Sequence, residues 1–203
     1  MKDVTLIENV VPEIYHKELQ SLLTAPNFPW NFSEDISMQD GDPPFKQDTN
    51  IVPSCGFSHA LCADGKHSTY WTTIRPLLYF MIDKVKYSKF NRPFEIFRAK
   101  ANLQTQINGS TENNYNMPHV DFAHNARQGT NWIFLYYVTE SDGDTFLFNE
   151  NGDQGCPEKL TLRQRVTPKA NTGILFKDNI LHASSNPIKY QKRINLNFNI
   201  ITS

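Results

Sequence analysis

Apolar positions recur at helical spacing in the amino-terminal part of the chain and at alternate positions beyond it, so the sequence separates into a helix-forming and a strand-forming region. Val11, Tyr15, Leu19, Leu22 and Leu23 fall on one helical face, and Pro12 suits a first turn because its missing N–H would have no partner there; a helix is predicted over roughly residues 12–24. Trp71, Ile74, Leu78, Met81, Ile82 and Val85 repeat the pattern, with Pro76 either kinking this second helix or lying near its start. Each helix carries one apolar face and is expected to cover a sheet. Between them, residues 26–66 hold five prolines, many small polar side chains and no sustained period, which predicts a long irregular segment of the kind that forms lids or binding surfaces.

Beyond Pro93 the period becomes two. Phe97, Ala99, Ala101 and Leu103 alternate with Arg98, Lys100, Asn102 and Gln104, as on a strand with one apolar face. Residues 131–138 read NWIFLYYV, a strand covered on both faces, and Thr145–Phe148 and Gly173–Phe176 are shorter versions. In the last strand Ile194, Leu196, Phe198 and Ile200 share one face, while Arg193, Asn195, Asn197 and Asn199 share the other. Such a polar face fits either the outside of a sandwich or a barrel interior that bears a ligand. Two helices followed by about eight strands predict an α+β protein with a double-sheet jelly-roll core. The length of 203 residues suits one domain over 1–203, with helices and long loop to residue 92 and the jelly roll over 93–202.

Composition narrows the class. Twenty basic against 21 acidic residues, a net charge of -1, argue against affinity built on phosphate neutralisation, so nucleic acid is a disfavoured partner. No apolar run approaches the roughly 18 residues of a membrane span, and Met1-Lys2-Asp3-Val4 lacks the layout of a signal peptide. The expectation is a soluble, intracellular (cytoplasmic) protein without membrane contact. Three cysteines without a CxxC pair predict reduced thiols rather than a disulfide framework. Nothing in the sequence speaks to oligomeric state.

The chemistry concentrates on His119-Val120-Asp121. On a strand these two outer side chains project from one face about 7 Å apart, within reach of one metal ion. His182 offers a second imidazole from a separate segment, and Arg193 follows eleven residues later. Two imidazoles and one carboxylate on one side of an ion leave the opposite positions open, which is the donor set of non-haem Fe(II) sites that admit a co-substrate and O2.

Further segments agree with that centre in order and spacing. Pro118-His119-Val120-Asp121-Phe122 is followed by Leu135-Tyr136-Tyr137-Val138, then by Asp142-Gly143-Asp144-Thr145-Phe146. Thr172-Gly173-Ile174-Leu175-Phe176, Leu181-His182, Asn186-Pro187 and Lys192-Arg193-Ile194-Asn195 complete the series. Over roughly residues 93–202 the chain resembles the iron(II)/2-oxoglutarate-dependent dioxygenases, most closely their prolyl-4-hydroxylase-like branch. The resemblance implies a double-stranded β-helix, a cupin-like jelly roll, with His119, Asp121 and His182 as the catalytic iron ligands. It makes Arg193 the partner of the distal carboxylate of 2-oxoglutarate, and a planar, permanently charged guanidinium suits that task.

Other positions carry over from the same pattern. Tyr136 stands where the family's tyrosine hydrogen-bonds the co-substrate; Tyr137 is adjacent, and a one-residue shift of register would exchange them. Tyr115 lies where related enzymes place an aromatic near the co-substrate, and Asn195 where they commonly have Ser or Thr. Gln104 and Asn102 share a strand face, and either could line the site. The implied activity is hydroxylation of an unactivated C–H bond, with Fe(2+), 2-oxoglutarate and O2 and with ascorbate as a candidate reductant, on a peptidyl-proline, amino-acid or other small-molecule substrate. A non-catalytic metal-binding jelly roll and a nucleobase-oxidising member of the same superfamily are the alternatives. Asp142 departs from the family's glycine pair and is expected to alter the hairpin or the substrate entrance. Asp121 counts against a halogenase, which leaves that coordination position to halide.

Three further features have plainer expectations. Cys55, His59, Cys62 and His67 offer tetrahedral donors but match no standard finger spacing, so scattered loop residues are expected. His124 is expected to be a turn residue. Lys159, Arg163, Arg165 and Lys169 form a basic stretch, with Arg163 and Arg165 on one strand face, expected to be a solvated edge.

Overall fold

The strands of the computed structural model lie in two antiparallel sheets, described over residues 3–36, 48–53, 55–85, 90, 93–121, 130–152 and 159–202. In chain order the elements are β1 (Val4–Ile7), α1 (Glu13–Thr24), β2 (Asn31–Ser33), β3 (Gly56–Ala63), β4 (Lys66–His67), α2 (Trp71–Ile74), α3 (Leu77–Val85), β5 (Phe94–Thr105), β6 (Thr130–Tyr137), β7 (Thr145–Asn151), β8 (Leu162–Val166), β9 (Thr172–Lys177), β10 (Ile180–Ser184) and β11 (Lys192–Thr202). The large sheet runs β1-β9-β6-β11-β5-β3-β2, with β4 against β3, and the small one runs β10-β7-β8.

Strand β6 shows how alternation builds two apolar layers. Trp132, Phe134 and Tyr136 join Leu196 and Phe198 of β11, Leu19 and Leu23 of α1, and Leu77, Leu78 and Met81 of α3 in one cluster. Ile133, Leu135 and Tyr137 join Leu147 of β7, Val166 of β8 and Ile180 of β10 in another, which lies between the sheets. A strand buried on both faces therefore reads as a continuous apolar run. Pro76 falls between α2 and α3, where the chain tolerates its missing N–H, so the second helical pattern is two helices.

The amino-terminal region differs from its expected form. Residues 26–66 include β3, eight residues that pair with β5 along the large sheet, and β1 pairs with β9. Gly56-Phe57-Ser58-His59-Ala60-Leu61-Cys62-Ala63 carries no clean alternation because a bulge between Ala60 and Cys62 shifts its register. The backbone edge of β5, rather than an apolar stripe, holds it in place.

Candidate metal centre

His119 sits at a single antiparallel bridge to His182 instead of on a strand. Each residue's N–H donates to the other's carbonyl at 3.0 Å. Such a directly opposed pair brings the two rings side by side, with centroids 4.6 Å apart. Asp121 follows two residues later, with its Oδ1 3.9 Å from His119 Nε2 and its Oδ2 3.8 Å from His182 Nε2. Donor atoms of the three residues all lie within 4.8 Å of one another, and no other His/Cys/Asp/Glu group of three or more among the described residues converges in this way.

Hydrogen bonds prepare these donors. His119 Nδ1 lies 3.0 Å from the Met117 carbonyl oxygen, and His182 Nδ1 lies 3.1 Å from that of Ile180. A carbonyl only accepts, so each Nδ1 carries a proton, which in the neutral ring leaves Nε2, the nitrogen nearer Asp121, with the lone pair a metal would use. Burial, with His119 beside it, pushes the His182 imidazole down to about 4, which keeps it neutral and able to ligate at ordinary pH. Burial alone would raise Asp121, but His182, His119, Arg98 and Lys100 together hold its carboxyl well below the usual range. Arg98 Nη2 donates to Asp121 Oδ1 at 3.0 Å, and Asn197 Nδ2 donates to Oδ2 at 2.9 Å. The donor set, its protonation and its burial all fit Fe(II).

At the other end of the same cleft lies Arg193. The residue is 2% exposed, and its guanidinium gives Nη1 to Gln104 Oε1 at 2.7 Å and Nη2 to Thr145 Oγ1 at 2.8 Å and rests over the Tyr137 ring. Among the described residues no carboxylate forms an ion pair with it, and its Nε has no partner. A buried cation without a counter-ion is costly, and a ligand carboxylate would supply what the fold leaves out. Along β11, Arg193 and Asn197 are four residues apart, about 13 Å, so the cation and the metal donors mark opposite ends of the cleft. The polar face of β11 is thus interior: Asn195, Asn197 and Asn199 are all buried.

Not every predicted residue is found here. Asn195 lines the cleft and accepts a 3.1 Å hydrogen bond from Asn102, and Asn102 and Gln104 both line it. Tyr136 does not. It pairs with Leu196 on the helix-covered face, where its hydroxyl lies 2.8 Å from His16 Nδ1 and 3.3 Å from Asn171 Oδ1. Tyr137, one residue on, has the inward parity and donates to Thr145 Oγ1 at 2.8 Å. Tyr115 is also elsewhere: it packs on Phe146 and Phe148 on the far face of β7, with its hydroxyl on Asp48. The segment at Tyr115 belongs to no strand, so alternation gave no guide to its direction.

Asp142 has a use that the family pattern would not have suggested. Its carboxylate accepts the N–H groups of Ile188, Lys189 and Tyr190 at 3.0, 2.8 and 3.3 Å, fastening the turn that leads into β11 and Arg193. Gly143 must stay small there, since a Cβ would lie 2.6 Å from the Ser185 carbonyl oxygen and 3.1 Å from Arg193 Cδ. Sequence reasoning placed Arg98 and Lys100 on the polar face of β5 without giving either a role. Their signal was the same alternation that exposed Gln104.

The remaining candidates are structural. His59 Nδ1 lies 3.0 Å from the Pro29 carbonyl oxygen, Cys62 is buried, and His67 stacks on Trp71, so the four Cys and His donors do not converge. Arg163 pairs with Asp3 and Arg165 with Asp144, within this chain. His124 lies outside the described residues. No described helix is long and apolar enough to cross a membrane.

No protein-family model and no curated protein matches the chain. Solved structures do. An oxidoreductase of the 2OG-Fe(II) oxygenase family from Burkholderia pseudomallei aligns over 98% of this chain and 85% of its own, at 14% identity and a TM-score of 0.65. A prolyl hydroxylase from Trichoplax adhaerens, solved with a hypoxia inducible factor peptide fragment, aligns over 100% and 84% at 13% identity and a TM-score of 0.60. The nogalamycin-biosynthesis epimerase SnoN aligns over 98% and 77% at 13% identity and a TM-score of 0.60. The chain shares the jelly-roll fold of the 2-oxoglutarate oxygenases.

Proposed function

We propose that this protein is an Fe(II)- and 2-oxoglutarate-dependent dioxygenase that hydroxylates an unactivated C–H bond of a prolyl, peptidyl or free amino-acid substrate. One observation carries the reading: a His119–Asp121–His182 donor set, half-buried at His119 and buried at the other two, and a buried Arg193 that has no carboxylate partner among the described residues occupy opposite ends of one cleft. Fe(II), 2-oxoglutarate and O2 supply the oxidising chemistry, in which decarboxylation to succinate and CO2 accompanies insertion of one oxygen atom into the substrate. The chain's own residues position and polarise. His119 and His182 would hold the ion through Nε2, and Asp121 through a carboxylate already fixed by Arg98 and Asn197. Arg193, oriented by Gln104 and Thr145, would take the distal carboxylate of the co-substrate.

The prolyl-hydroxylase resemblance of the sequence, together with prolyl hydroxylases among the structural neighbours, favours a prolyl or related amino-acid substrate. SnoN, an epimerase on the same fold, shows that the fold does not dictate the outcome of the reaction. Anaerobic addition of Fe(II) and 2-oxoglutarate to the purified protein tests the assignment. A visible charge-transfer band, followed by succinate on admission of air, is the expected result; absence of both leaves a non-catalytic metal-binding jelly roll.

A further inference from the structure

Among the described residues, Lys100 is the one cation lining the metal end of the cleft for which the proposed reaction has no use. Its register partner across β11 is Asn197, the residue that holds Asp121, and its side chain lines the cleft beside His119. Four residues along the same face of β5 stands Gln104, which orients Arg193, so Lys100 and the co-substrate anchor are about 13 Å apart. Lys100 is half-buried, and among the described residues no carboxylate forms an ion pair with it. Burial pulls its proton affinity down, while Asp121 opposes the loss of charge.

Charge accounting at the loaded site, which rests on the oxygenase reading above, leaves Lys100 uncompensated. A divalent ion with Asp121 carries one net positive charge, the co-substrate dianion two negative, and Arg193 one positive, so these cancel. His182 is neutral. Arg98 adds a further positive charge, but its guanidinium is turned onto Asp121, whereas Lys100 lines the cleft itself. Lys100 therefore remains as a partly desolvated positive charge facing the space where a substrate must approach, and a counter-ion there would recover much of the desolvation cost.

We infer that the primary substrate carries a carboxylate, which Lys100 binds beside the metal position. Among the described residues, the walls of the cleft are strands β5, β6, β7, β10 and β11 with Ile36 and His119, and no helix N-terminus among them contributes the fan of N–H groups typical of a phosphate cradle. One ammonium matches a singly charged group, such as the free carboxylate of an amino acid.

The test begins with calorimetry of 2-oxoglutarate on Zn(II)-loaded protein. Absence of binding overturns the oxygenase reading and this assignment with it. With the co-substrate bound, ligand-observed NMR then compares the twenty N-acetyl-L-amino acids with their carboxamides. At least one acid is expected to bind ten times or more tightly than its amide, with Lys100→Met removing the difference and Lys100→Arg keeping it; circular dichroism verifies that both variants fold. If 2-oxoglutarate binds yet no acid is preferred to its amide, or the preference survives in Lys100→Met, the Lys100 assignment alone is overturned.

Discussion

Asn197 and Asp121, 76 positions apart in the chain, are joined by a 2.9 Å hydrogen bond from the carboxamide Nδ2 to the carboxylate Oδ2. Arg98 holds the other oxygen at 3.0 Å, so the carboxylate is fixed before any ion arrives. Supporting residues of this kind are worth about 10- to 100-fold in metal affinity. Asn197→Leu, which removes the donor but keeps comparable bulk, is expected to weaken Mn(II) or anaerobic Fe(II) binding by about that factor. Calorimetric titration measures it, and an unchanged Kd would remove Asn197 from the support of the site.

Much of this centre was legible because a strand converts sequence parity into direction. The parity of β11 put Arg193, Asn195 and Asn197 on one face, and the parity of β5 put Lys100, Asn102 and Gln104 on one face. Neither pattern said which way each face was turned; the structure does, with the polar faces lining the cleft and the apolar face of β11 clustered with residues of α1 and α3. Parity fails where neighbours have equal character. Tyr136 and Tyr137 are both buried aromatics, and only the pairing of Tyr136 with Leu196 sends it to the helix side. It also fails where no strand exists, as at Tyr115, and where a strand is bulged and held mainly by backbone pairing, as in β3. Asp142 was illegible for another reason: its partners, the backbone N–H groups of residues 188–190, are set by the path of the chain and not by side-chain type.

The two tyrosines make a paired prediction. Tyr137→Phe removes the hydroxyl that donates to Thr145 Oγ1, and Thr145 in turn accepts from Arg193, so its expected effect is on the 2-oxoglutarate KM, a rise of about three- to tenfold, corresponding to roughly 1 kcal/mol for one hydrogen bond. Tyr136→Phe breaks the contact with His16 of α1 and is expected to lower stability by about 1 kcal/mol while leaving that KM within twofold. Kinetics and chemical denaturation of both variants check the pair, and the opposite assignment of effects would restore Tyr136 to the co-substrate site.

Among the described residues Arg193 has no acid partner of its own, so its loss should be felt mainly when 2-oxoglutarate binds. Charge-assisted hydrogen bonds contribute about 1.5–3 kcal/mol, and Arg193→Ala is therefore expected to raise the 2-oxoglutarate Kd by about one to two decades. The metal donors lie at the other end of the cleft, so Mn(II) affinity measured without co-substrate should change little. An unaltered co-substrate Kd would show that the carboxylate is held elsewhere.

Asp142 gives the clearest pH dependence away from the metal donors. Partial burial pushes its carboxyl up, but the N–H groups of Lys189, Ile188 and Tyr190 favour the ionised form and hold it below its ordinary value. A lowered folded-state pKa means that the stabilisation is fully present above the unfolded value of about 3.9 and is lost as pH falls through the folded one. Asp142→Ala is expected to cost about 1–2 kcal/mol at pH 7, the range for a side chain capping several amides, and to lower Tm by a few degrees. As pH falls below about 3.9 the gap between the two proteins should narrow, and it should close once the wild-type side chain is protonated in the folded state as well, because a protonated carboxyl accepts these hydrogen bonds poorly. Urea denaturation across pH 3–7 reads the difference directly. A gap that stays constant down to pH 3 would mean that Asp142 supports the turn by shape alone, and that its charge has no part in setting the approach of β11.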